Sequence, residues 1–309
     1  MENGQRSKCR ARMNKEGTLY SLVYGKPCAV HVDPIEKKPF FHFLPGTTAF
    51  SIATAGCVLS CKFCQNWQIS QAKPEDTDTH DLPPEKVVKN AIAYGTRSIT
   101  YTYTEPTVFY EYMYDTAVLA KKNRIKNTMH SCGYIREKPL RKLSRYMDAA
   151  DIDLKAFTEE FYLRICGGSL KPVLDALVVL KEEGVWIEIT NLIIPTLNDA
   201  MKNIREMSRW IQKNLGADVP IHFSRFFPHY KLSNLPPTSL ETLTAARKTA
   251  MDAGLKFVYI GNMRDEGENT FCPHCKRLLI ERIGYFVKQN NVTDGKCRFC
   301  RVPIPGVWS

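Results

Sequence analysis

The chain has 309 residues, 44% hydrophobic and 24% charged, with a formal net charge of +11, a balance that describes an ordinary globular protein with room for a sizeable core. No apolar run approaches the ~20 residues needed to cross a bilayer, and "MENGQRSKCRARMNKEG" holds no signal-peptide core, so membrane association is excluded and a cytoplasmic protein is expected. The positive charge fits a solvated basic surface, an acidic partner or a nucleic acid, but no long basic run or arginine–glycine repeat supports the last.

Residues 1–49 read as a β-rich extension, with two short strands and a proline-punctuated approach in "GTLYSLVYGKPCAVHVDPIEKKPFFHFLPG". Residues 50–265 alternate β-rich and helix-patterned segments. "FSIATAG", "RSITYTY", "IKNTMHS", "AADIDLKAF", "VWIEITNLIIP", "PIHFSRFFP" and "LKFVYIGN" are short, apolar and β-branched or aromatic. Between them, "PPEKVVKNAIAYG" starts on prolines and ends on glycine. A stripe of Met201, Ile204, Met207, Ile211 and Leu215 predicts a helix capped by Asn198 or Asp199 and stopped by Gly216. Repeated βα units of this length predict a parallel sheet covered by helices, and six or seven of them favour a partial or full (β/α) barrel. Residues 266–309 lose helical periodicity, regain cysteines and read as a separate small module.

Eleven cysteines in a reducing compartment are expected to stay free, which makes metal ligation the leading use for clustered ones. In "GCVLSCKFCQNW", Cys57, Cys61 and Cys64 follow the first strand of the βα series, where α/β barrels carry their active-site loops. Three thiolates can hold three irons of a [4Fe–4S] cubane and leave the fourth open to a small molecule. A structural zinc site is normally closed by four ligands. In the terminal module, Cys272, Cys275, Cys297 and Cys300 form C-x₂-C-x₂₁-C-x₂-C around a hairpin candidate. That spacing predicts a tetrahedral zinc ribbon, with an auxiliary iron–sulfur cluster as the other occupant.

The C-x₃-C-x-aromatic-C loop resembles the radical S-adenosylmethionine (radical SAM) superfamily. "DPIEKKPFFHFLPG", "ATAGCVLSCKFCQNWQIS", "TYTEPTVFYEY", "EITNLIIPTLND" and "IPGVW" resemble the AmmeMemoRadiSam-system radical SAM enzymes, relatives of the pyruvate formate-lyase activating enzymes. The resemblance covers essentially the whole chain. It implies a barrel of the radical SAM type, a [4Fe–4S] cluster and SAM as cofactors, and a one-electron donor such as flavodoxin or ferredoxin. It further implies reductive cleavage of SAM to a 5′-deoxyadenosyl radical that abstracts hydrogen from a substrate, which can be a partner protein.

It also implies the SAM contacts. Phe63 takes the aromatic position against adenine. Glu105 in "TYTEPT" supplies the charge for the SAM ammonium, with Thr104 and Thr107 beside it, although a carboxylate there also suits a helix cap. Asp153 and Lys155 share a strand face and match a D-x-K contact near the methionine moiety, with Asp151 on the same face. Asn191 and Arg225 complete the set. His229 follows Pro228 where relatives place a histidine before the proline, and Cys132 stands where they carry asparagine. Neither receives a role, nor do Cys9, Cys28 and Cys166. The competing reading is a zinc-dependent nucleic-acid-binding or scaffold protein, which leaves the three-cysteine loop without a purpose.

Overall fold

A two-stranded ribbon, β1 (Arg12–Lys15) and β2 (Thr18–Ser21), precedes one large sheet of β3 (Ala29–Pro34), β4 (Thr48–Ala53), β5 (Ser98–Tyr101), β6 (Lys126–Ser131), β7 (Ala149–Asp153), β8 (Trp186–Ile193), β9 (Ile221–Arg225) and β10 (Val258–Gly261). The computed structural model describes residues 1–309. The strands lie side by side in sequence order. β4 to β10 are mutually parallel, and β3 is antiparallel to β4. β3 and β10 form the two edges, so the barrel is partial.

Six helices cross between successive parallel strands: α1 (Pro84–Ala93), α2 (Tyr110–Lys122), α3 (Glu137–Ser144), α4 (Lys171–Glu182), α5 (Met201–Asn214) and α6 (Leu240–Asp252). With sequential strand order, right-handed crossovers put every helix on the same face of the sheet. The other face is left free to line a cavity. The helix ends follow local chemistry. Pro84 opens α1, and Ser239 caps α6 by accepting a 3.2 Å hydrogen bond from the Thr242 amide. The cap expected for α5 does not form: Ala200 holds that position without a side-chain bond. Asn198 turns back to brace the loop, donating to the Lys155 and Leu192 carbonyls at 2.8 Å each and accepting from the Ile194 amide at 2.6 Å. Buried backbone groups need partners, and these outcompete the helix end.

The terminal module comprises β11 (Thr270–Phe271), β12 (Leu278–Ile283), β13 (Phe286–Asn290), β14 (Val292–Thr293) and β15 (Lys296–Cys297), with β12 and β13 forming the expected hairpin. Its packing is not separate. Leu279, Ile280 and Ile304 share a buried cluster with Phe41 from the extension and with Phe257 and Tyr259 from the β10 segment. Each such side chain contributes roughly 1.5–3 kcal/mol on burial, so the module is firmly seated. The Arg282 guanidinium, 2% exposed, stacks 4.0 Å from the Phe41 ring and donates to the Phe41 carbonyl at 2.8 Å. Likewise β3 belongs to the main sheet, so residues 1–49 are not a unit in the packing. No helix is long and apolar enough to cross a membrane.

Candidate active site and metal centre

The loop after β4 is held from behind by the segment that leads into α4. The Ser60 amide donates to the Cys166 carbonyl at 2.8 Å, and the Lys62 amide to the Ile165 carbonyl at 3.0 Å. Two glycines permit close approaches to this loop, Gly167 that of the segment before α4 and Gly56 that of the N-terminal segment. A Cβ on Gly56 (φ +102°) would stand 2.4 Å from the Cys9 carbonyl oxygen, and one on Gly167 (φ +71°) 2.4 Å from the Ser60 hydroxyl. Cys61 is buried and Cys57 and Cys64 partly so; the Cys64 thiol lies 3.2 Å from the Ser70 hydroxyl.

All three thiols line a cavity of about 440 Å³ at the carboxyl ends of the parallel strands, where α/β sheets bind ligands. Phe63, Glu105, Asp153 and Lys155 line the same cavity. Phe63 is 6% exposed, its ring 5.7 Å from the Lys155 ammonium. Glu105 is buried, accepting from the Ser131 hydroxyl and Cys132 amide at 2.8 Å each and from the Thr107 amide at 3.1 Å. It therefore caps the short helical turn at Pro106–Phe109 as well as facing the cavity. Lys155 donates to Asp153 at 2.7 Å. Burial disfavours both charges, but the pair outweighs it: Asp153 is held below the usual carboxylate range and the Lys155 pKa is pushed up.

His130, which the sequence reading passed over, completes this wall. Its imidazole bonds Asp151 through Nδ1, and its Nε2 lies 3.4 Å from Asp153. Burial would lower its pKa, yet Asp153 and Asp151 raise it to about 10, so it is a cation at neutral pH. Thr190 donates to Asp151 at 3.0 Å and, with Ser224, also lines the cavity. Strand register was the available signal: His130 is level with Asp151, and Asp153 with Thr190.

Asn191 and Arg225 do not line the cavity. Each stands one residue from a side chain that does, so strand alternation turns it to the helix-covered face. Asn191 donates to the Leu154 carbonyl at 2.6 Å, and Arg225 stacks 4.9 Å from the Phe227 ring. Cys132 is buried on the cavity wall.

The terminal cysteines converge. Cys272 and Cys275 lie between β11 and β12, and Cys297 and Cys300 at and after β15. All four sulfurs lie within 4.8 Å of one another, Cys272 to Cys300 at 3.6 Å and Cys275 to Cys297 at 3.8 Å. They can hold a metal, as zinc or as an iron–sulfur centre.

Residues 51–208 match the model of the radical SAM superfamily. The chain is 46% identical over 303 residues to the uncharacterised protein MJ0808 of Methanocaldococcus jannaschii, covering 97% of this chain and 90% of the relative. It is 26% identical over 180 residues to the pyruvate formate-lyase-activating enzyme of Listeria monocytogenes, covering 53% of this chain and 69% of that one. The fold is similar to that of Streptococcus suis SuiB bound to S-adenosylmethionine, with TM-score 0.56 and 13% identity over 77% of this chain and 56% of SuiB. It is also similar to a radical SAM methyltransferase from Sphaerobacter thermophilus, with TM-score 0.55 and 16% identity over 76% of this chain and 71% of that one. The protein is an enzyme, and the chain belongs to the radical SAM superfamily.

Proposed function

We propose that Cys57, Cys61 and Cys64 hold a [4Fe–4S] cluster in the cavity and that SAM binds beside it, between Phe63, Glu105 and the Asp153–Lys155 pair. One observation carries the reading: three thiols, a buried carboxylate and an acid–lysine pair, drawn from the ends of β4, β5 and β7, face a single cavity. When bound, the reduced cluster supplies one electron to the SAM sulfonium, giving methionine and a 5′-deoxyadenosyl radical for hydrogen abstraction. The chain's own residues bind and orient. Glu105 offers negative charge to the SAM ammonium, Lys155 and the His130 cation offer positive charge to its carboxylate, and Phe63 offers a ring face to the adenine. The remaining cavity, from Thr190 to Asn262 and Tyr285, is left for substrate.

Within the superfamily, the motifs "DPIEKKPFFHFLPG" and "IPGVW" favour the AmmeMemoRadiSam-system enzymes, and the activating-enzyme relatives favour a protein substrate. A flavodoxin- or ferredoxin-type donor supplies the electron. The protein works in the reducing cytoplasm, where clustered cysteines stay available as thiolate ligands. A tetrahedral ion with zinc–sulfur bonds near 2.3 Å spaces its sulfurs by about 3.8 Å. The terminal sulfurs stand 3.6 and 3.8 Å apart in the two pairs, which favours one zinc ion over a cluster. A zinc-dependent scaffold would leave the cavity's thiols and charges without use. The decisive experiment is anaerobic reconstitution followed by reduction with SAM. Formation of 5′-deoxyadenosine is expected, and an intact, reduced cluster that never cleaves SAM would sink the proposal.

A further inference from the structure

A side chamber of about 290 Å³ adjoins the main cavity, sharing Lys37, Pro39, Ser224, Asn262 and Tyr285 as walls. Glu36 lines it and is 2% exposed. Its Oε1 accepts from the Gly46 amide at 2.8 Å, while its Oε2 is buried with no partner. A buried carboxylate oxygen without a donor is costly, so this one asks for a ligand.

The chain answers that demand only through the charge of the buried Arg282, whose Nε is likewise without a partner; no donor of the chain bonds Oε2. Arg282 is the nearby buried cation, but its guanidinium donates to the Phe41 and Glu268 carbonyls and the Thr270 hydroxyl, never to a carboxylate. Glu188 has its own partners in the Phe41 and His42 amides, the Trp186 indole and His222. Glu268, also on the chamber wall, accepts from the Gly284 amide at 3.1 Å. Lys37 is bound to Asp33 at 2.8 Å, and Arg264 is exposed. Phe41, Ile260 and Met263 add apolar wall, and the His222 imidazole, bonded to Glu188, lines the chamber as well. Tyr285, in the turn between β12 and β13, is 48% exposed and lines both spaces.

We propose that this chamber receives an aliphatic ammonium group of the substrate, with Glu36 as its anion and the hairpin turn bearing Tyr285 as a wall. The inference rests on the radical-enzyme reading, because an ammonium anchored there leaves the rest of its molecule in the main cavity. It also gives the metal-held module a part in substrate binding. Burial pushes the Glu36 pKa up to about 7, so the carboxylate is ionised at pH 8, where an ammonium would further favour the charged form.

The test uses the whole chain with its cluster loaded and no SAM present, at pH 8. Saturation-transfer NMR would follow n-butylamine, Nα-acetyl-lysine-N-methylamide and, as a neutral counterpart, 1-pentanol. The amines are expected to bind and the alcohol not. Binding of n-butylamine alone would assign a small free amine, and binding of the lysine derivative a lysyl side chain. Glu36→Gln keeps an oxygen for the Gly46 amide and should weaken amine binding at least tenfold. Met263→Trp fills the chamber with Glu36 intact and should do the same, which guards against a Glu36 variant that fails to fold. No amine binding to the wild type, equal binding of 1-pentanol, or unchanged binding in both variants overturns the inference. SAM cleavage by the wild type is scored separately, so failure of the radical reading and failure of the chamber are distinguishable.

Discussion

The chain uses clustered cysteines twice, and the two clusters are built on opposite plans. The terminal four come from two hairpin-like knuckles that aim every sulfur at one point, and no other group of three or more cysteine, histidine or acidic side chains is gathered as tightly. The three after β4 come from a single loop braced by backbone bonds, and they face a cavity whose far wall is charged. A site closed by its own ligands can hold a fold together. A site left open beside a carboxylate, a lysine and a histidine cation can bring a small molecule to a metal. The family match covers the open site and stops well before the closed one.

The largest effects should come from breaking each site separately. Alanine at Cys57, Cys61 and Cys64 should remove the about four irons per chain that reconstitution gives, with the circular dichroism of the sheet and helices unchanged. A triple variant that still loads a full cluster would place the ligands elsewhere. Alanine at Cys272 and Cys297 should release zinc and loosen residues 266–309. Structural zinc in isolated fingers contributes about 10–16 kcal/mol of apparent binding free energy, which is folding free energy there. Limited proteolysis and metal analysis would check this, and iron lost in proportion would show that the terminal site is a second cluster.

Smaller changes sharpen the description of the open site. Glu105→Gln and Asp153→Asn keep shape and remove charge. For Glu105→Gln, losing one charge-assisted hydrogen bond to the SAM ammonium costs roughly 1.5–3 kcal/mol, or about 10- to 150-fold in SAM affinity, measurable by titrating 5′-deoxyadenosine formation against SAM. Asp153→Asn, which acts through Lys155 and His130, should lower it less. Unchanged apparent affinity in both variants would remove these residues from the SAM site. The smallest effect is one of pH. Because the folded pKa of His130 lies near 10 and its ordinary value near 6.5, the stability it contributes is fully present below pH about 6.5 and is lost as pH rises towards 10. Denaturant unfolding should therefore show His130→Gln less stable than wild type at pH 6, with the gap narrowing by pH 9.5. A constant gap would mean that the imidazole is not held as a cation.

Much of this organisation is legible in the sequence. Seven segments rich in β-branched and aromatic residues gave seven parallel strands because each but the last is followed by a helix-patterned stretch long enough to cross back over the sheet. The two cysteine spacings led directly to the two clusters. The site residues were less legible where they depended on which way a strand faced. Asn191 and Arg225 sit one residue away from Thr190 and Ser224, which line the cavity, and a one-residue step moves a side chain to the other face. His130 carries no motif of its own and matters because the register sets it level with Asp151. The joining of residues 35–44 to the terminal module was invisible for a different reason: contacts between segments so distant in sequence leave no local pattern.

That joining bears on how the molecule is made. Each strand of the main sheet pairs only with its neighbours in sequence, so the sheet can lengthen in step with synthesis, at about 5–20 residues per second. The segment around His42 cannot finish in that order. The Leu44 amide donates to the Val307 carbonyl and the Val307 amide to the His42 carbonyl, both at 2.7 Å, and the His42 imidazole meets the Pro305 carbonyl. A piece of backbone made early thus waits for one made some 260 residues later. Until then the side of Phe41 that meets Leu279, Ile280 and Ile304 stays uncovered, and the nascent chain carries an adhesive apolar surface beside an unfinished pocket.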